Sequence, residues 1–215
     1  SSIVENNNDT INLVYDIELG EKALISEINF VGNKVYKDRK LRSIIASEEG
    51  KFWKFVTSKK FLDKSRIELD KRLLKNFYLN NGYYDVVINN SFVEFLDKNN
   101  FKLIYNIESG PIFKIQNTKL TLPVDYDPIN FENVKKILKK LEGEKYSFKK
   151  LSNVVDEIDK ITLRQQFEFI TASINEQVVD GNKLNLDIEI SETKKSYVER
   201  VDIFGNDVTQ ENVIR

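Results

Sequence analysis

The line Leu13 to Gly20 (Leu-Val-Tyr-Asp-Ile-Glu-Leu-Gly), followed by the strand-like stretch Ile25 to Asn33, returns twice before the chain ends. It comes back as Leu103 to Gly110 running into Phe113 to Ile115, and as Leu186 to Ile190 running into Tyr197 to Asn206. A spacing of roughly 80 to 90 residues is too long for a solenoid repeat and fits a small domain used in tandem. The chain therefore reads as an array with two complete modules. Residues 1–19 read as the closing strand of a preceding module. Tyr197 to Arg215 reads as the opening strand and first helical turn of a following one. Such an array is expected to be cut from something longer.

Periodicity orders the elements within a module. Leu24 to Val31 alternates as a strand, with Ile28 and Phe30 on one face and Glu27 and Asn29 on the other. Gly32-Asn33 turns the chain, since both residues tolerate positive φ. Asp38 is a candidate cap for a helix carrying Leu41, Ile44 and Ile45. After Glu49-Gly50 comes an aromatic connector, Phe52 to Val56. A second cap at Asp63 then opens a longer helix with the stripe Ile67, Leu69, Leu73, Leu74, Phe77 and Tyr78. That helix closes at Asn81-Gly82, a pair suited to the left-handed C-terminal position. Two strands follow, Tyr84 to Phe95 and Phe101 to Glu108, so the order is β-α-α-β-β.

The second module repeats that order. Phe113 to Leu122 is its first strand. One helix is marked by Phe131, Val134, Leu138 and Leu141, and another by Leu151, Val155, Ile158 and Thr162 with Ser147 as cap. Phe169 to Val179 and Leu184 to Ile190 form a hairpin around Asp180-Gly-Asn182. Each module is α+β, one sheet with helices over one face. If the first and last strands lie together in the middle, the second strand is left at the edge with unpaired backbone groups.

Composition narrows the chemistry. With 33 basic against 34 acidic residues there is no field strong enough to gather nucleic acid. The chain has neither His nor Cys, which removes the usual imidazole base, the Ser-His nucleophile, disulfides and thiolate metal sites. No run approaches the length of a transmembrane helix. The pairs Asp156 with Glu157 and Asp187 with Glu189 read as exposed faces, and the lysine pairs at 135–136, 139–140 and 149–150 as solvated helix sides. No catalytic, cofactor-binding or metal-ligating residue is assigned, and the chain reads as a non-enzyme.

Several motifs carry a family likeness. They are the strand Ile25-x-x-Ile28-x-Phe30-x-Gly32-Asn33, the helix ending Phe77-Tyr78 ahead of Gly82-Tyr83, and the run Phe52 to Val56 leading into Lys59 to Phe61. Together with the β-α-α-β-β order they resemble POTRA domains, the polypeptide-transport-associated modules that precede outer-membrane β-barrels. The resemblance covers essentially the whole chain. It implies tandem POTRA domains, each a three-stranded mixed sheet covered on one face by two antiparallel helices. In that register residues 1–19 close a preceding POTRA, 20–109 form a third-like and 110–191 a fourth-like POTRA, and 192–215 open the next. The second module departs from the pattern, with Leu122-Pro123 in place of Gly-Asn and Gln165 to Phe167 in place of the Gly-Tyr helix end.

The resemblance further implies a periplasmic location, tethered to the outer membrane of a Gram-negative bacterium through a downstream β-barrel. Its partners would be unfolded outer-membrane proteins and accessory lipoproteins, with no nucleic acid, no membrane insertion of this stretch and no cofactor. The alternatives are the arm of a TamA-like or two-partner-secretion transporter, or a purely structural spacer. The binding mode is β-augmentation along the edge strand, at Val86, Val87, Ile88, Asn89, Asn90, Ser91 and Phe92. Val86, Ile88, Asn90 and Phe92 are its alternate positions, while the polar run Asn89 to Ser91 fits an inert edge as well. Trp53, with Phe52 and Phe55, is a candidate partner anchor, the other reading being packing of the connector onto its own module.

Overall fold

The structure, a computed structural model, describes residues 2–6, 10–14, 23–32, 34–50, 61–97, 100–165 and 170–192. It divides into two compact units, Ser1–Phe113 with Lys145–Phe148 and Lys114–Glu144 with Lys149–Arg215. No described helix is long and apolar enough to cross a membrane.

The first unit begins with β1 (Ser2–Asn6) and β2 (Thr10–Val14), paired antiparallel from Ser2 opposite Val14 to Asn6 opposite Thr10. The single closing strand expected there is corrected to a hairpin. The run Asn6 to Asp9 has the chemistry of a turn, so strand-forming sequence falls on both sides of it.

The main body follows as β3 (Leu24–Val31), α1 (Asp38–Arg42), α2 (Lys64–Leu79), β4 (Val87–Asp97) and β5 (Asn100–Glu108). The sheet order is β3-β5-β4, with β3 parallel and β4 antiparallel to β5. The last strand alone is central, so the first strand is an edge too, which corrects the expectation that both lie in the middle. Leu103, Tyr105 and Ile107 of β5, the residues of the recurring line, are fully buried. On β3 the register slips between Ile25 and Glu27. That irregularity lets Ile25 and Ile28, three apart, both reach the core, which explains the Ile-x-x-Ile spacing.

Asp63 caps α2 as expected, its carboxylate accepting from the Arg66 N–H at 2.8 Å. The helix closes with Tyr83 N–H donating to Tyr78 C=O at 3.1 Å and Gly82 N–H to Leu79 C=O at 3.3 Å, a Schellman pattern. Phe77, Tyr78 and Tyr83 surround Tyr36 edge to face at centroid distances of 4.8 to 6.1 Å, so the Phe-Tyr and Gly-Tyr motif is a packing device. Two expectations are corrected. Asp38 is the first residue of α1 and not its cap, and it pairs with Lys34. The buried stripe of α2 is Ile67, Asp70, Leu74 and Tyr78, with Leu69 exposed.

The second unit holds β6 (Lys114–Thr121), a 3-10 turn (Pro128–Phe131), α3 (Glu132–Leu141), α4 (Phe148–Gln165), β7 (Ile170–Val179) and β8 (Lys183–Glu192). Its sheet order, β6-β8-β7, repeats the mixed topology of the first. Phe131, Val134, Leu138 and Leu141 are buried as expected. On α4 the stripe is Leu151, Val154, Ile158 and Ile161, correcting Val155 and Thr162 by one position each, because the core side follows a 3-4-3 spacing. β7 and β8 pair without a slip from Ile170 opposite Glu192 to Val179 opposite Lys183. The α+β fold with a mixed sheet and two helices per unit is thus the one the sequence predicts.

Candidate functional site

A three-stranded sheet has two edges, and in each unit one of them is closed by a device that is the same in both. In the first unit the Gly50 N–H donates to the Ile25 carbonyl at 2.7 Å, and the Ile28 N–H donates to Glu49 Oε1 at 3.1 Å. In the second the Gly143 N–H donates to the Ile115 carbonyl at 2.7 Å, and the Thr118 N–H donates to Glu142 Oε1 at 3.1 Å. A Glu-Gly pair after the first helix therefore satisfies a carbonyl and, three residues on, an amide along the outer side of the first strand. Both strands carry their register slip inside that interval, Ile25 to Glu27 and Ile115 to Asn117. Further groups complete the closure of β3. The Arg42 guanidinium donates to the Ile28 carbonyl at 2.7 Å, the Leu62 N–H to the Ala23 carbonyl at 2.8 Å, and Lys34 to the Phe30 carbonyl. An edge with its backbone groups occupied cannot template another strand.

Glu142 is held ionised by this arrangement. The hydrogen bond from Lys139, and after it the Thr118 N–H, keep its carboxyl below the ordinary glutamate range. A carboxyl with a lowered folded value stabilises the fold above its unfolded pKa, and that contribution is lost as pH falls through the folded value. Protection of the Thr118 amide from hydrogen exchange, corrected for intrinsic rate, is expected to drop across that acidic window. In Glu142→Gln, whose amide oxygen accepts without titrating, the step should vanish. A step of equal size in both proteins would remove Glu142 as its cause.

β4 lies at the opposite edge of its sheet. Among the described residues none donates to or accepts from its outer side. Its sequence is also apolar for an edge: Val87, Val93, Phe95 and Leu96 are exposed, Phe95 by 62%, with the Phe95 ring 5.4 Å from that of Phe101. On β7, the corresponding edge of the second unit, Val178 is the large apolar residue exposed in this way.

The expected site residues fall unevenly along this edge. Val86 lies one residue before the strand and is 4% exposed, its N–H reaching the Tyr83 carbonyl at 3.4 Å, so it anchors the strand entry instead of lining it. Val87 is exposed opposite Glu108, and Ile88 packs against the core opposite Ile107. The Asn89 amide donates to Glu108 at 3.1 Å. Between Ile88 and Ser91 the register slips, so Asn89 and Asn90 together face Asn106, a β-bulge. The extra residue breaks the alternation of Val86, Ile88, Asn90 and Phe92, which do not share a face; Ile88 and Val93 instead stand opposite the core residues Ile107 and Leu103. Ser91 and Phe92 pair opposite Tyr105 and Ile104, and the side chains of Asn90, Ser91 and Phe92 lie outside the description. Trp53, with the connector from 51 to 60, also lies outside the described residues, as do Asn33 and Gly205-Asn206. Sequence reasoning missed Glu49 and Glu142. The signal was their recurrence, each followed by Gly, at the same place in both modules.

Residues 23–110 match the family model POTRA, described as a surface antigen variable number repeat. Over nearly its full length the chain is similar to the outer membrane protein assembly factor BamA of Neisseria meningitidis, 25% identical over 201 residues, which are 93% of this chain and 25% of that protein. It is likewise similar to the BamA of Buchnera aphidicola, 25% identical over 213 residues, covering 97% of this chain and 34% of the relative. The chain thus spans about a quarter to a third of the length of these relatives. In fold it is similar to POTRA domains 3–5 of Haemophilus influenzae BamA, with a TM-score of 0.63 and 16% identity over 90% of this chain and 76% of that one.

Proposed function

We propose that the chain is a stretch of the periplasmic arm of a BamA-like assembly factor, tethered through a downstream barrel, with its two units corresponding to the third and fourth POTRA domains. In this reading β4 takes extended segments of unfolded outer-membrane proteins by β-augmentation, and accessory lipoproteins dock on the same arm. The mechanism is non-covalent and uses no cofactor. The observation that carries it is the asymmetry of the sheet: the β3 edge is occupied by Gly50, Glu49, Arg42 and Leu62, whereas the β4 edge is long, exposed and apolar.

Magnitudes set the kind of binding. A guest strand on β4 forms four or five backbone hydrogen bonds, each worth about 0.5 to 1.5 kcal/mol net. Immobilising the guest offsets much of that, leaving an affinity on the order of micromolar to millimolar. Weak, sequence-tolerant contact suits transient handling of many clients, and successive modules add avidity.

Proline tests this. Consecutive N–H groups of a strand point to opposite sides, so of Val93→Pro and Glu94→Pro one removes an outward N–H and spares the ladder to β5. The variant that keeps its fold by circular dichroism is expected to bind an extended client peptide at least ten-fold more weakly. Unchanged binding by that folded variant would favour the spacer alternative.

A further inference from the structure

Resting on the strand-addition reading, we infer that the β4 edge prefers an acidic guest, an extended segment with carboxylates at the end lying beside Val87 and Ile88. A groove of about 290 Å³ runs there between the strand and α2, its floor made by Val86, Val87 and Ile88. Its rim is Glu68, Lys71, Arg72 and Lys75, which at i, i+3, i+4 and i+7 share one helix face. Lys71 is paired with Glu68 at 3.1 Å. Arg72 and Lys75 have no ion-pair or hydrogen-bond partner among the described residues, and both are exposed. Two unmet cations thus overhang the apolar entry of the one strand whose outer backbone groups are open.

A strand added along β4 passes beneath them. Its alternate side chains, about 7 Å apart, stand on the helix side, and Arg72 and Lys75 are about 4.5 Å apart along the helix axis. Glutamates at two alternate positions therefore reach one cation each, while apolar residues cover Val87. An anionic lipid surface is the less favoured occupant. Headgroup-binding patches gather about four to eight basic residues, and here Glu68 lies in the same groove and already engages Lys71.

The test uses the 215-residue chain and two fluorescein-labelled peptides of alternating Val and Thr, alike except that one carries two Glu where the other carries two Gln. By fluorescence anisotropy at low salt the Glu peptide is expected to bind about five-fold more tightly, with the advantage shrinking as salt is raised. The double variant Arg72→Gln, Lys75→Gln should bind both peptides with the affinity the parent shows for the Gln peptide. Equal binding of the two peptides by the parent, or an advantage that survives in the double variant, overturns the acidic preference and leaves strand addition standing. Failure of the parent to bind either peptide overturns both. Phosphatidylglycerol vesicles bound by the parent but not by the double variant, together with equal peptide binding, would reassign the cations to a membrane surface.

Discussion

Asp70→Leu is expected to unfold the first unit, and Asp70→Asn to leave it folded with a lowered midpoint. The carboxylate is fully buried on α2. Its Oδ1 accepts from the Ala46 N–H at 2.6 Å and the Ser47 N–H at 3.2 Å, and its Oδ2 accepts from the Tyr105 hydroxyl at 2.6 Å. One side chain thereby joins α2, the segment after α1 and the central strand. Burial, and next the bond to Asp70, push the Tyr105 phenol well above its ordinary range, so it remains a donor at any working pH. Leucine would leave three buried donors without an acceptor. At about 1 to 3 kcal/mol for each unsatisfied group, partly relieved by relaxation, the loss is about 3 to 5 kcal/mol. A module of this size has roughly 4 to 13 kcal/mol in total. Urea denaturation followed by near-ultraviolet circular dichroism reads the effect. A Leu variant melting with the parent would show that the carboxylate does not hold these elements together.

Gly32→Ala is expected to cost about 2 to 5 kcal/mol. Gly32 ends β3 at φ +89°, where a β-carbon is strained. That carbon would stand 2.3 Å from Asn106 Oδ1 and 2.5 Å from the Ile107 carbonyl oxygen. The Asn106 side chain can turn aside, but the carbonyl belongs to the central strand and cannot move without disturbing the ladder. Adding Asn106→Ala to the Gly32→Ala background should therefore recover a minor share of the lost stability. Full recovery in thermal melts would assign the cost to the side chain and not to the close approach of two backbones. The recurring Gly-Asn is thus a packing requirement between strands as well as a turn.

What was legible in the sequence was local. Element type and order follow from periodicity, so β3 begins and ends where the pattern places it, and Asp63 caps α2 through an N–H three residues away. The features that were not legible join distant residues. Ile28 meets Glu49 across 21 positions, Thr118 meets Glu142 across 24, and Asp70 meets Tyr105 across 35. Asp70 sat on the apolar stripe of α2, three residues after Ile67 and four before Leu74, but a lone carboxylate there reads as a solvated position until its donors are in place. The bulge at Asn89 and Asn90 was hidden for a related reason. It exists only relative to β5, and a single strand carries no mark of which residue its partner will skip.

By itself, then, the sequence determined a β-α-α-β-β module, twice over, and the apolar faces that each element buries, because hydrophobic period and turn chemistry act within a few residues of the chain. Only the tertiary structure decided that the last strand is central, that Glu-Gly pairs close the first strand, and that β4 is left open beneath Arg72 and Lys75. Those outcomes depend on which backbone donors and acceptors remain after long-range pairing, and no local pattern counts them.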